Sequence, residues 1–210
     1  MLQYKRIVSN LLDQNIYILY NNQNEAIIVD PGLGFDLIDS FIKSKNLNPI
    51  AIIGTHAHID HIASADECIE HYNIPFHLCE QNKLYLDNYD KLAGFWKVKT
   101  KKPNVSNWIN KSSKKLSIGS FHFKLMYNPG HSVGCMSFAI ESLIFCGDLI
   151  FKGSIGRTDL PTSNPSDMEQ SLKMFVNSFD VHSTLLTGHR EETSLENELK
   201  TNPFLVNYAK

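Results

Sequence analysis

The stretch Thr55-His56-Ala57-His58-Ile59-Asp60-His61 sets four side chains of metal-ligating chemistry directly behind a short apolar run. That run, Ile50 to Ile53, lies between Pro49 and Gly54 and is dominated by isoleucine, so it reads as a buried strand rather than a helix. His56 and His58 stand two apart, and in an extended segment such residues project to one side and can grip one ion. Asp60 and His61 can turn toward a second. Imidazole with carboxylate suits zinc, iron or manganese, and the lack of cysteine in the set argues against a closed structural zinc site. Residues 62–71 continue with helical character. The order strand, loop, helix places the histidines at the carboxyl end of a strand, where open α/β sheets build their sites.

Upstream, residues 15–20 and 25–30 are β-prone runs separated by Asn21, Asn22, Gln23 and Asn24, which predicts a hairpin. Asp30-Pro31-Gly32 stops the second strand. Leu33, Leu37, Ile38, Phe41 and Ile42 then recur at helical spacing up to Asn46. Downstream, residues 85–115 are rich in Lys and Asn with aromatics at Tyr89, Phe95, Trp96 and Trp108, and read as a helix followed by an irregular loop. Strands are expected near 120–127, 135–140 and 142–146, the last two joined tightly at Glu141. Pro165 opens a helix to Asn177, with Met168, Leu172, Phe175 and Val176 on one face. Another buried strand spans 183–187, and Ser194 caps a final helix through Lys200. Two β-rich halves, each with helices, imply an α/β fold of four layers, an αββα sandwich.

Three later positions share one local setting, an apolar strand giving way to a glycine-containing turn. They are His131 in Asn128-Pro129-Gly130-His131, Asp148 in Phe145-Cys146-Gly147-Asp148, and His189 in Leu186-Thr187-Gly188-His189. Glycine beside each lets the backbone bend so that the ligand faces a shared cleft. Each alone is a weak signal, and together with the first cluster they are specific.

With 210 residues, 42% hydrophobic, the chain can bury a full core, and one domain over 1–210 is expected. A net charge of −2 gives no broad electrostatic reason to bind nucleic acid or an anionic membrane. The first twenty residues mix apolar and polar side chains, without the continuous apolar centre of a secretory signal, and no later run approaches a bilayer span. Cys68, Cys79, Cys135 and Cys146 form no C-x-x-C pair and read as small, reduced core residues of a cytoplasmic protein.

The ordered set Asp30, His56-x-His58-x-Asp60-His61, His131, Asp148 and His189 resembles the metallo-β-lactamase fold superfamily, across nearly the whole chain. Within it, Gly147-Asp148, the run Ser154-Ile155-Gly156-Arg157-Thr158-Asp159, Thr187-Gly188-His189 and the ending Asn202-Pro203-Phe204 are similar to small glyoxalase II-type hydroxyacylglutathione hydrolases. The resemblance implies that His56, His58 and His131 hold one metal ion, that Asp60, His61 and His189 hold another, and that Asp148 bridges both. Two divalent ions are the implied cofactors, zinc first, with iron or manganese accepting the same set. The acid at Asp30 would orient the histidine loop rather than ligate. The implied reaction is hydrolysis of a thioester such as S-lactoylglutathione by a metal-bridging hydroxide, with Asp60 also catalytic in accepting a hydrogen bond from the attacking group. Arg157 would contact the carboxylate of glutathione; its other reading is a pair with Asp159. The larger glyoxalase II enzymes carry a C-terminal helical domain for glutathione that this chain is too short to contain.

Rival readings are a mononuclear iron persulfide dioxygenase on the same fold, a nucleic-acid-processing member, and a non-enzymatic binding protein stabilised by its metal. The dioxygenase resembles this chain in Gly156-Arg157-Thr158-Asp159. A serine or cysteine nucleophile is disfavoured, since neither Ser132 nor any cysteine sits in a G-x-S-x-G elbow. The other histidines, His71, His77, His122 and His182, read as surface or packing residues. Small thioesters are the expected partners, with no nucleic acid and no membrane.

Overall fold

The computed structural model describes residues 1–208, which fall into two compact units that divide after Ile109. The first opens with strand β1 (Gln3–Val8), β2 (Asn15–Tyr20) and β3 (Glu25–Val29). The expected hairpin is β2–β3, paired antiparallel from Tyr17↔Val29 to Tyr20↔Ala26. Its turn is made by asparagine chemistry: the Asn21 side chain accepts from the backbone of Gln23 and Glu25 at 2.9 and 3.1 Å, and Asn24 takes the left-handed conformation with φ 64°. Helix α1 (Phe35–Lys45) buries Ile38 and Ile42 and ends at Asn46, whose left-handed backbone returns its N–H to the helix. Strand β4 (Asn48–Gly54) then runs parallel between β3 and β5 (Phe76–Cys79), and β6 (Asn107–Ile109) pairs parallel on β5. The six strands lie in chain order.

Two expectations are corrected here. The helix foreseen over residues 62–71 is two helices, α2 (Ile59–Ile62) and α3 (Ala65–Tyr72). They separate because Ser64 serves other partners: its backbone N–H donates to Pro31 O at 2.9 Å and its hydroxyl accepts from Gly34 N at 3.2 Å. The stretch 85–115 is likewise more ordered than a helix and a loop. It follows α4 (Lys83–Leu86) with α5 (Tyr89–Phe95), β6 and the start of β7.

The second unit has its own six-stranded sheet, ordered β14-β13-β10-β9-β8-β7. It comprises β7 (Lys115–Ile118), β8 (Phe121–Tyr127), β9 (Met136–Ile140), β10 (Leu143–Gly147), β13 (Thr184–Thr187) and β14 (Thr193–Ser194). A small hairpin, β11 (Ile150–Phe151) with β12 (Ser154–Ile155), stands apart. Glu141, with φ 51°, makes the expected tight turn between β9 and β10. Helix α6 (Pro165–Ser178) begins on Asn164, whose side chain accepts from Ser166 and Asp167, and buries Met168, Leu172 and Phe175. These join Ile144, Cys146, Leu185 and Leu195 in one apolar cluster, each fully buried side chain contributing roughly 1.5–3 kcal/mol.

Helix α7 (Leu195–Thr201) is capped by Ser194 as expected and is fastened by a buried carboxylate. Glu198 accepts from Gly153 N–H at 2.8 Å, Thr193 Oγ1 at 2.6 Å, Asn197 Nδ2 at 3.0 Å and Asn202 Nδ2 at 2.8 Å. Burial alone would raise its pKa, but the hydrogen bonds from Thr193, Gly153, Asn202 and Asn197 together hold it below the usual range. A carboxyl depressed in the folded state contributes stability above the unfolded pKa and loses it as pH falls through the folded value. Glu198→Ala is therefore expected to cost about 2–4 kcal/mol at neutral pH. Urea melts should show the gap between wild type and variant narrowing below pH 4.5, the carboxyl's ordinary value. A gap unchanged at acid pH would mean that packing, not charge, made the difference.

Candidate metal centre

In the first unit the ligand loop leaves β4 beside the end of β3, where Asp30 N–H donates to Ile53 O at 2.9 Å. Asp30, 2% exposed, organises the loop. Its carboxylate accepts from Thr55 N–H at 2.6 Å and Thr55 Oγ1 at 2.6 Å, and lies 2.9 Å from His61 Nδ1. These contacts settle the tautomers. A carboxylate beside Nδ1 keeps the proton there, so His61 Nε2 carries a lone pair. The Thr55 hydroxyl spends its one proton on Asp30 and thus accepts from His56 Nδ1 at 3.1 Å, which leaves the lone pair of His56 on Nε2. His56 Nε2 faces His58 Nδ1 at 3.0 Å. Ligand nitrogens about 2.0–2.1 Å from one tetrahedral ion stand roughly 3.3 Å apart, so this spacing suits a shared ion. Asp60 and His61 sit on α2, with Asp60 Oδ2 at 3.8 Å from His61 Nε2.

In the second unit β8, β10 and β13 run in one direction, and His131, Asp148 and His189 follow their carboxyl ends. Gly188 N–H bonds to Gly147 O at 2.9 Å, joining the last two ends. Asp148 Oδ2 is 3.3 Å from His131 Nε2 and 3.6 Å from His189 Nε2. His131 repeats the pattern of the first unit: its Nδ1 donates to the Arg157 carbonyl at 2.9 Å, leaving Nε2 toward Asp148. Glycine supports two of the three turns as foreseen, with φ 146° at Gly130 and 51° at Gly147. At the third the left-handed residue is Arg190, φ 66°, rather than Gly188.

The residues of metal-ligating kind are thus His56, His58, Asp60 and His61 in one unit and His131, Asp148 and His189 in the other. Mixed nitrogen and oxygen donors at ligand-to-ligand spacings of 3.0–3.8 Å, each unit considered alone, fit divalent ions of the zinc, iron and manganese group. Arg157 holds Asp159 through Nε and Nη2 at 2.6 and 2.8 Å. All four cysteines are buried thiols outside any disulfide. Burial pushes the Cys146 thiol up to about 12, which removes it as a nucleophile at neutral pH. Of the remaining histidines, His77 is buried and its pKa is lowered by that burial.

Two supporting residues, Asn82 and Tyr85, have no signature in the sequence. Asn82, a turn after β5, accepts from Ala57 N–H at 3.0 Å inside the ligand loop. Tyr85 on α4 packs its ring on His58 with centroids 4.7 Å apart. Gly156 backs the second half, because a Cβ there would enter the Asp148 carbonyl oxygen and stand 3.1 Å from His131 Cβ. Gly156→Ala should therefore displace Asp148 and His131 at once. A loss of about 1–3 kcal/mol in thermal unfolding, together with reduced metal retention, is expected. Wild-type metal content in a less stable variant would separate packing from ligation.

Residues 10–189 match the family model of the metallo-beta-lactamase superfamily. A probable metallo-hydrolase of Bacillus subtilis (strain 168), YqgX, is 33% identical over 99% of this chain and 100% of its own length. The hydroxyacylglutathione hydrolase GloC of Haemophilus influenzae is 26% identical, over 91% of this chain and 92% of GloC. Among solved structures, the BLEG-1 B3 metallo-beta-lactamase superposes with TM-score 0.89 at 32% identity, covering 97% of this chain and 99% of that one. TTHA1623 in a di-iron-bound form gives TM-score 0.86 at 28% identity, covering 96% and 100%.

Proposed function

Because this chain belongs to the metallo-beta-lactamase superfamily and has its sandwich fold, we propose that the two units form one hydrolase domain, 1–210, whose seven ligating side chains hold two divalent ions. His56, His58 and His131 would hold one, Asp60, His61 and His189 the other, and Asp148 would serve both. The superfamily and the relationship to a probable metallo-hydrolase support a metal-dependent hydrolase. The substrate is a small thioester of the S-lactoylglutathione kind, a reading supported by the likeness to a hydroxyacylglutathione hydrolase over nearly its whole length. Zinc is the first candidate for the metal; the di-iron form of a structural relative supports iron as the second. The setting is the cytoplasm.

One observation carries the reading: His56, His61 and His131 each have Nδ1 engaged by an oxygen, of Thr55, Asp30 and Arg157 respectively, so that each presents Nε2 with its lone pair. Such ions, when bound, lower the pKa of water toward neutrality and polarise a carbonyl oxygen. The chain's own groups do the rest. The Asp60 carboxylate accepts a hydrogen bond from the attacking oxygen and orients it. The leaving thiolate, with a conjugate acid near pKa 8.5, departs without a dedicated acid. Arg157 exchanges Asp159 for a substrate carboxylate, since an ion pair this exposed is weak in water.

Thiol release from S-lactoylglutathione, compared with simpler thioesters, lactones and a β-lactam, tests the assignment. Turnover of the glutathione thioester above the others is expected. Oxygen consumption with glutathione persulfide on iron-loaded protein, without thioester turnover, would replace the hydrolase with a dioxygenase; turnover of the β-lactam alone would overturn the substrate class.

A further inference from the structure

The single turn of α4 serves two places. Tyr85 packs on His58, while Lys83 and Leu86 of the same turn line a cavity of about 170 Å³ within the first unit. Its lining joins the buried Leu86, Pro103 and Val105 to the exposed Asp87 and Asn104. The lining also includes Trp108, 38% exposed, and Lys83 and Lys102. Lys83 Nζ stands 5.0 Å from the centre of the Trp108 ring, and Lys102 Nζ is 3.9 Å from Asp87 Oδ1. The segment leading into Lys102 is held in place, for the Thr100 hydroxyl bonds to the Ala63 carbonyl and lies 2.9 Å from the Tyr89 hydroxyl.

Buried apolar side chains, an aromatic ring and two cations against one carboxylate select one chemistry, a planar ring bearing a single negative charge. The size selects the same class. Drug-sized ligands need roughly 300–1,000 Å³, and 170 Å³ holds one ring rather than a nucleotide. The Lys102–Asp87 pair is exposed and gives way to an incoming anion. We propose that this cavity is a second ligand site, for a small aromatic monoanion, and that its occupancy reaches His58 through Tyr85 on the shared turn of helix.

Benzoate is the probe. The chain has two tryptophans, so in a Trp96→Phe background the fluorescence reports on Trp108. Saturable quenching by millimolar benzoate is expected, with acetate and benzyl alcohol at least ten-fold weaker, since each lacks one of the two recognised features. Lys83→Gln with Lys102→Gln should weaken benzoate at least ten-fold while circular dichroism stays unchanged, both side chains being exposed. In the same titration the His58 ring resonances should move with the same saturation while those of the exposed His182 do not. No saturable quenching, equal quenching by the controls, or unaltered affinity in the double variant would overturn the site. Quenching with His58 unmoved would overturn the link to the ligand loop.

Discussion

Asp148→Ala is expected to lower kcat/KM for the thioester by at least about 10³-fold, a loss of roughly 4 kcal/mol in transition-state stabilisation, while leaving a folded chain. The carboxylate is nearly buried, with Oδ2 3.3 Å from His131 Nε2 and 3.6 Å from His189 Nε2, so it stands close to both of the second unit's candidate ligand imidazoles. Removing it takes away the negative charge that a cation there needs. The fold has little dependence on it: β10 is held by backbone pairing to β9 and β13 and by the apolar burial of Ile144 and Cys146. His56→Ala should have a comparable effect from the first unit. Steady-state kinetics beside circular dichroism checks the expectation, and near-native activity in either variant would exclude a metal mechanism.

Asp30→Asn should be the more selective lesion. The amide oxygen can still accept from Thr55 N–H, but the amide nitrogen would donate where the carboxylate accepted. Facing His61 Nδ1, now at 2.9 Å from Asp30 Oδ2, it would force the proton to Nε2 and consume the lone pair that an ion requires. Metal affinity is expected to fall about 10–100-fold, the range seen when an outer partner of a ligand is changed. Asp30→Ala would instead leave the Thr55 N–H and hydroxyl without their buried acceptor, costing roughly 2–4 kcal/mol of stability. Metal titration of both variants separates the effects. If Asn behaves like wild type, the tautomer of His61 does not control binding.

What the sequence reveals follows from how local each signal is. The four-ligand loop stands out because a strand of β-branched residues ends in Gly54 and delivers closely spaced donors. The helices α1, α6 and α7 carry their own caps and apolar faces, so their limits are visible in one dimension. Strands β5, β6 and β14, of four, three and two residues, are too short for any periodicity and exist only through pairing with neighbours far along the chain. The break between α2 and α3 depends on Ser64 reaching Pro31 and Gly34. The same holds at the site. His131, Asp148 and His189 are marked by strand ends and glycines, whereas Tyr85, Asn82 and the Arg157 carbonyl act through tertiary contact with the ligand histidines or their loop.

Metal stoichiometry by elemental analysis, on the wild type and on variants in each unit, bears most directly on the claim that both sets of side chains serve a pair of ions. About two equivalents per wild-type chain are expected, with fewer retained after His56→Ala and after His189→Ala alike. A chain that binds no divalent metal, or one whose full complement survives the loss of either histidine, would contradict it.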